Sequence, residues 1–144
     1  MDELKTIKII ETPYDLEDRE IICYPNLILL AKIKIFRLFM KPRIVYSVIT
    51  VDLVKGEAAR SNIFPEYKEM EINSYALIEP LTTTENSIAE AKKIILKWVR
   101  HKFKSYKVPE VEIIKQEEVY KAFFYAQLKN QRILVDSVKG IETN

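Results

Sequence analysis

The residues that most often do chemistry in proteins are scarce in this chain of 144 residues. It has one histidine, His101, and one cysteine, Cys23. A Ser–His–Asp or Cys–His arrangement would have to use His101. Its neighbours Arg100 and Lys102 supply no orienting carboxylate. We therefore interpret His101 as a surface residue and Cys23 as a small buried residue of a strand, and the sequence predicts a protein that is not an enzyme.

Metal and phosphate sites are equally hard to place in the sequence. One histidine and one cysteine give no zinc-ligand spacing, and the only two glycines, Gly56 and Gly140, form no glycine-rich phosphate loop. Asp52 and Asp136 would form a carboxylate site if the fold brought them together. Each can instead accept hydrogen bonds from the backbone of its own turn. We favour this turn role and predict no metal and no cofactor.

The two glycines stand in matching hexapeptides, VDLVKG at residues 51–56 and VDSVKG at residues 135–140. Each hexapeptide ends an apolar, β-branched run that is typical of a strand. Glycine reaches a positive φ without steric cost. We therefore predict one kind of turn built twice, with these structural residues: Asp52, Gly56, Asp136 and Gly140.

Each of these strands follows another apolar run, which predicts a hairpin in each half of the chain. Residues 118–128 lead through Lys129 and Asn130 into the second strand, and residues 21–36 lead through residues 40–42 into the first. The first hairpin is longer by about a dozen residues in total. We expect it to project beyond the sheet.

One α-helix is expected between the two hairpins. Residues 86–103 carry apolar side chains at helical spacing on one face, namely Ile88, Ala91, Ile95 and Trp98. A capping box fits either from Thr82 or from Ser87. Acidic residues at the start and basic residues at the end suit the helix dipole.

These elements predict an α+β protein, an antiparallel β-sheet with one principal helix and an internal pseudo-repeat. Residues 1–60 would be a first β-meander repeat without a helix, residues 61–81 a connector, and residues 82–144 a second repeat with the helix and a three-stranded meander. We expect one compact unit. Either both hairpins form one sheet under the single helix, or a second helix comes from a longer parent chain or a second subunit.

A helix followed by a β-meander that closes on V-D-x-x-x-G resembles the PepSY domain, a small α+β fold of the cystatin-like kind. Residues 133–141, ILVDSVKGI, match that ending, and residues 49–57, ITVDLVKGE, match it again. The first copy departs from the pattern because it lacks the helix and has an enlarged hairpin. The resemblance implies a non-enzymatic module that binds a protein or peptide, and it brings no catalytic residues.

The long hairpin is apolar on both faces, which suggests an interface. An exposed apolar patch of that size usually marks one, unless residues 64–78 cover it. Our leading prediction is thus a protein- or peptide-binding module, with homodimerisation as the commonest form of such contact. The predicted partner-binding residues are Ile33, Ile35, Phe36, Leu38, Phe39 and Met40.

Two segments without acidic residues concentrate positive charge. Residues 21–51 hold five Lys or Arg, and residues 91–107 hold seven. Four of these fall in one stripe along the helix that could meet phosphates: Lys93, Lys97, Arg100 and Lys104. A nucleic-acid-binding accessory protein is therefore the alternative prediction. An enzyme pocket between sheet and helix ranks last, because the apolar helix face offers no acid or base.

The sequence contains no apolar run of the roughly 18 to 20 residues that a membrane span requires. Its acidic, amphipathic start does not look like a signal peptide. We predict a cytoplasmic protein with no transmembrane segment, although a fragment of a longer protein would look the same.

Overall fold

The computed structural model describes residues 3–17, 19–105, 107–138 and 140–141. These residues form eight β-strands, one α-helix and one short 3₁₀ helix, Ser74–Ala76. The helix α1 is Thr84–Lys102. The strands are β1 (Leu4–Ile10), β2 (Ile21–Arg37), β3 (Met40–Asp52), β4 (Ala58–Ser61), β5 (Tyr67–Asn73), β6 (Glu110–Leu128), β7 (Gln131–Asp136) and β8 (Gly140–Ile141). The predicted α+β class, with a mostly antiparallel sheet and a single principal helix, is confirmed.

The chain divides into two compact units. Unit 1 comprises Met1–Asn26, Pro65–Pro80 and Glu118–Asn144, and unit 2 comprises Leu27–Phe64 and Leu81–Glu117. The units are interleaved along the chain, whereas the sequence analysis divides it consecutively at residues 60 and 81. The long strands explain this difference, because β2 has 17 residues and β6 has 19, about three times the usual strand length. Each of them contributes to both units.

In unit 2 the strand order is β4-β3-β2-β6, and α1 packs on one face of these strands. Side chains of a strand alternate between the two faces of its sheet. Every second residue of β2 accordingly joins α1 in one buried cluster: Leu27, Leu29, Ala31, Ile33 and Ile35 from β2 with Ala91, Ile95 and Val99 from α1. The hairpin of β2 and β3 is therefore anchored by the helix.

Helix α1 begins two residues before its predicted start. Its N-cap is Thr83, whose Oγ1 accepts a hydrogen bond from the N–H of Asn86 at 3.1 Å. Neither predicted capping box begins the helix. The hydroxyl of Ser87 donates to the carbonyl of Thr83 at 2.8 Å instead. The helix ends at Lys102, one residue before the predicted end.

In unit 1, β6 lies between β1 and β7. It pairs with β1 in parallel at Ile9↔Tyr120 and with β7 antiparallel from Phe123 to Leu128. Strand β5 pairs antiparallel with the other edge of β1. The turn between β6 and β7 consists of Lys129 (φ 48°) and Asn130 (φ 65°), and two positive φ values are characteristic of a type I′ hairpin turn. The predicted hairpin with Asn at its tip is confirmed.

Both predicted turn aspartates hydrogen-bond to their own turns. Oδ1 of Asp52 accepts from the N–H of Val54 at 2.8 Å, and Oδ1 of Asp136 accepts from the N–H of Val138 at 2.9 Å. Gly56 has the predicted positive φ, 77°, while Gly140 pairs with Asp136 as the first residue of β8. The pseudo-repeat and the cystatin-like assignment stay predictions.

No helix in the described part of the chain combines the length and the apolar character that a membrane crossing demands.

Candidate anion-binding surface of unit 2

The positive charge of the protein is concentrated in unit 2. This unit holds fifteen Lys and Arg against seven Asp and Glu, which gives a net charge of +8. Unit 1 holds eight against fourteen, which gives −6. The overall net charge of +2 is therefore the sum of a strongly basic unit and an acidic unit. A field of this size attracts anionic ligands and speeds their association.

Part of this positive charge lies over two aromatic rings at the end of α1. Trp98 and Phe103 form an edge-to-face pair with ring centroids 5.5 Å apart. The guanidinium of Arg60 lies 4.2 Å from the Trp98 centroid, and that of Arg43 lies 4.9 Å from the Phe103 centroid. The ammonium of Lys102 lies 5.6 Å from Trp98 and 5.9 Å from Phe103. We call these five residues the cationic cluster.

The three cations of the cluster are exposed. Among the residues that the structure describes, no carboxylate forms an ion pair with Arg43, Arg60 or Lys102. A cation over an aromatic ring gains about 0.5–1 kcal/mol at an exposed site. That contact orients the cation but leaves its charge uncompensated, so its N–H donors remain available to an anion.

The cluster is assembled from three elements. Arg43 lies on β3 and Arg60 on β4, and these strands pair antiparallel between Val48↔Ser61 and Val51↔Ala58. Trp98 lies at the edge of the helix face that packs on the sheet. Phe103 is the C-cap of α1, with extended backbone (φ −123°) and its N–H donating to the carbonyl of Val99 at 2.8 Å.

A groove with a volume of about 470 Å³ adjoins the cluster at Phe103. Its size is within the usual range of ligand sites. Its apolar walls include Leu96, Val108 and Pro109. Its three basic residues, Arg100, Lys104 and Lys107, are exposed. We call it the end groove. An anion with an apolar or aromatic part matches such a lining.

All four residues of the predicted basic stripe are exposed, namely Lys93, Lys97, Arg100 and Lys104. The prediction that all four lie on the helix is wrong for Lys104, because α1 ends at Lys102 and Lys104 follows the C-cap Phe103. The members of the stripe are not equivalent. Lys93 pairs with Glu90 at 3.0 Å, whereas Arg100 and Lys104 line the end groove. The C-terminal part of the stripe is therefore the part that belongs to the candidate site.

The predicted partner-binding residues fall into two groups. Ile33 and Ile35 are 0 % and 1 % exposed and lie in the core under α1, while Phe36 is 9 % exposed. These three are not available to a partner, so the prediction is wrong for them. Ile33 and Ile35 pack against the helix because alternate side chains of β2 share that face, and Phe36 is buried on the opposite face of the strand. The other three are exposed, at 61 % for Leu38, 97 % for Phe39 and 61 % for Met40. We call these three residues the hairpin tip.

Sequence reasoning missed most of the cationic cluster. The sequence predicts Trp98 on the core face of the helix, and Trp98 does pack against the core there. The sequence carries no signal for β4, which holds Arg60. The acid-free segments contain Arg43 and Lys102 and were the only available signal.

The two residues with ordinary catalytic chemistry belong neither to the cationic cluster nor to the lining of the end groove. His101 is exposed at the end of α1. Cys23 is fully buried in unit 1, and burial raises the pKa of its thiol to about 12, so the reactive thiolate is strongly disfavoured. Within the described ranges, no group of three or more His, Cys, Asp or Glu side chains gathers as metal ligands would.

Comparison with known proteins gives no match for this chain, neither to a family model, nor to a curated protein, nor to a solved structure.

Proposed function

We propose that this protein is a non-catalytic binding module and that its unit 2 binds single-stranded nucleic acid. The observation that carries the proposal is the placement of three exposed cations, without acidic partners among the described residues, over the rings of Trp98 and Phe103. Single-stranded nucleic acids are bound by positive grooves combined with aromatic side chains.

The cluster offers both kinds of contact that a nucleotide needs. An arginine guanidinium is planar and can stack on a base while its N–H groups donate to phosphate oxygens. Arg43 and Arg60 are already held against aromatic rings, so less side-chain freedom is lost on binding. The end groove, with Arg100 and Lys104, extends the basic surface beyond Phe103.

The helix dipole does not account for this arrangement by itself. Basic residues in the last turn of a helix stabilise it, which is reason enough for Arg100 and Lys102. Arg43 and Arg60 come from strands, and the dipole gives no reason for them. Their convergence on the same two rings therefore supports a ligand-binding role.

The sequence alone ranks a protein or peptide partner first and nucleic acid second, and the proposal reverses this order. The resemblance to PepSY domains supports the non-catalytic part, and a protein or peptide partner remains a prediction. Its predicted surface is reduced to the hairpin tip, since the remainder is buried. The predicted homodimer also stays a prediction, which light scattering would test against the subunit mass of 17.0 kDa.

The test is fluorescence anisotropy with a labelled oligothymidylate of about 20 nucleotides, from about 50 to about 300 mM NaCl. If about four phosphates are contacted, the logarithm of the binding constant should fall with the logarithm of the salt concentration with a slope near −3. Arg43→Ala and Arg60→Ala should each weaken binding about fivefold.

The matched control is Lys68→Ala, which removes an exposed cation from unit 1. Its affinity should stay within about twofold of the wild type. Absence of oligonucleotide binding, or an equal loss in the control and in the two arginine variants, would contradict the proposal.

A further inference from the structure

The hairpin tip has an unusual combination of exposure and composition. Leu38 and Phe39 form the turn between β2 and β3, and Met40 begins β3. Three consecutive large apolar side chains are exposed there, and Phe39 is 97 % exposed. Turns normally use small or polar residues. The tip therefore departs from turn chemistry, in the way expected when a turn carries a function.

The backbone at Phe39 supports the same interpretation. Its φ is 61°, a left-handed conformation that turns usually assign to Gly or Asn. Residues held in such conformations cluster at ligand-binding and active sites. Phenylalanine is thus unfavourable for this backbone conformation, and its ring does not pack in the protein core.

The tip is held firmly in place. Nε and Nη2 of Arg37 both donate to the carbonyl of Lys41, at 3.0 and 2.8 Å, which ties the two strands together below the turn. Further along β2, the buried Ile33 and Ile35 fix the hairpin under α1. The ring of Phe39 thus stands on a hairpin whose strands are joined by hydrogen bonds and packed against the core.

The surroundings of the tip are basic. No Asp or Glu occurs between residues 21 and 51, while Arg37, Lys41 and Arg43 flank the turn. Arg43 is three residues from Met40 along β3, about 10 Å, and belongs to the cationic cluster. The backbone of β3 therefore links the tip to the cluster, with the side chains of Met40 and Arg43 on opposite faces of the strand.

We infer that the hairpin tip is a wedge that inserts at the end of a base-paired region, where the single strand bound by unit 2 joins a duplex. This inference rests on the proposed function. Exposed Phe, Leu and Met side chains are the types that proteins insert between base steps, and the flanking cations match the phosphates of both strands. Unstacking costs least at a position that is already unpaired on one side, so a junction is the favoured target.

The experiment uses a forked DNA duplex with the fluorescent base 2-aminopurine at the first paired position. Its single-stranded tail is the oligothymidylate used above. Saturating wild-type protein should raise the 2-aminopurine fluorescence at least about twofold, because insertion unstacks that base. Phe39→Asn, which suits the left-handed turn, should abolish the rise while its affinity for the free tail stays within about twofold.

The matched control is Ile63→Ala, which truncates a comparably exposed apolar residue (75 %) outside the hairpin. It should retain the full fluorescence change. A variant of Phe39 that behaves like the wild type at the fork would overturn the wedge.

The remaining outcomes separate the two proposals. Normal binding of the tail with no fluorescence change overturns the wedge alone, whereas no binding of the tail overturns both. Vesicles of phosphatidylserine and phosphatidylcholine are tested in parallel. If Phe39→Asn weakens vesicle binding and leaves the fork signal unchanged, the tip is a membrane contact and the inference is wrong. A further outcome is that the wild type proves to be a dimer that Phe39→Asn dissociates. If the fork signal is again unchanged in that variant, the tip serves self-association and the inference is wrong.

Discussion

The ammonium of Lys121 lies 2.8 Å from Oδ2 of Asp136, whose side chain is fully buried in unit 1. The other carboxylate oxygen of Asp136 accepts the N–H of Val138 and forms the turn after β7. Asp52, at the equivalent position of VDLVKG, makes the same turn contact but is only partly buried. The two similar hexapeptides therefore differ in the burial of their aspartate and in the lysine that pairs with the buried one.

We expect Lys121→Met to lower the free energy of unfolding by about 3 kcal/mol, because it leaves a buried carboxylate without this cation. Adding Asp136→Asn should restore part of the loss, since Asn keeps an oxygen for the Val138 N–H without the charge. Urea denaturation of both variants measures these changes. Lys55→Met, at an exposed lysine of the other hexapeptide, is the control and should cost less than about 0.5 kcal/mol. Equal losses at Lys121 and Lys55 would show that the ion pair contributes nothing.

Phe39→Asn should stabilise the protein, although it removes a large apolar side chain. The ring is 97 % exposed and its residue has a φ of 61°. A left-handed conformation costs most residues about 1–2 kcal/mol and Asn less, so a gain of about 0.5–1 kcal/mol is expected. Thermal and urea unfolding would measure it. Leu38→Asn, at the neighbouring turn residue without a positive φ, should show no such gain, and destabilisation by Phe39→Asn would indicate that the ring packs in the folded protein.

Stability should fall at alkaline pH because of Cys23. Burial raises the pKa of this thiol from 9.0 to about 12, so the folded state holds a proton that the unfolded state releases. The contribution is complete below pH 9 and is lost as the pH rises towards 12, with a slope of up to about 1.4 kcal/mol per pH unit. Burial and, to a smaller extent, Glu118 also raise the pKa of Tyr120, so Cys23→Ala should reduce the slope without removing it.

Unfolding free energies of wild type and Cys23→Ala between pH 8 and 11 would test this. An unchanged slope in the variant would exclude Cys23 as the cause. The native thiol should also fail to react with a disulfide reagent at pH 8 until the protein is unfolded in urea.

Charge reversal should locate nucleic-acid binding at the C-terminal end of α1. Arg100 and Lys104 line the end groove, whereas Lys93 and Lys97 lie on the same stripe outside it. Arg100→Glu with Lys104→Glu should weaken oligothymidylate binding at least about tenfold more than Lys93→Glu with Lys97→Glu. The two double variants change the net charge equally, so anisotropy at one salt concentration compares them directly. Equal losses would indicate a general charge effect instead of a defined site.

Local sequence signals predicted several elements. The Lys129-Asn130 turn and the positive φ of Gly56 follow from short-range preferences and are present in the structure. The helix predicted over residues 86–103 is also present, with its ends shifted to Thr84 and Lys102. The short β4 strand escaped detection because four residues, AARS, carry almost no periodic signal. The capping residue Thr83 was missed because two neighbouring positions fitted the pattern equally well.

The class of the protein, its long first hairpin and the concentration of basic residues in two segments were all predictable from the sequence. These properties depend on residues close together in the chain. The exposure of individual side chains of that hairpin depends on tertiary packing, because α1 buries Ile33 and Ile35 while Phe39 stays in solvent. The tertiary structure likewise decided that Arg43 and Arg60 meet Trp98 and Phe103, since strand pairing and helix packing bring together residues that are distant in sequence.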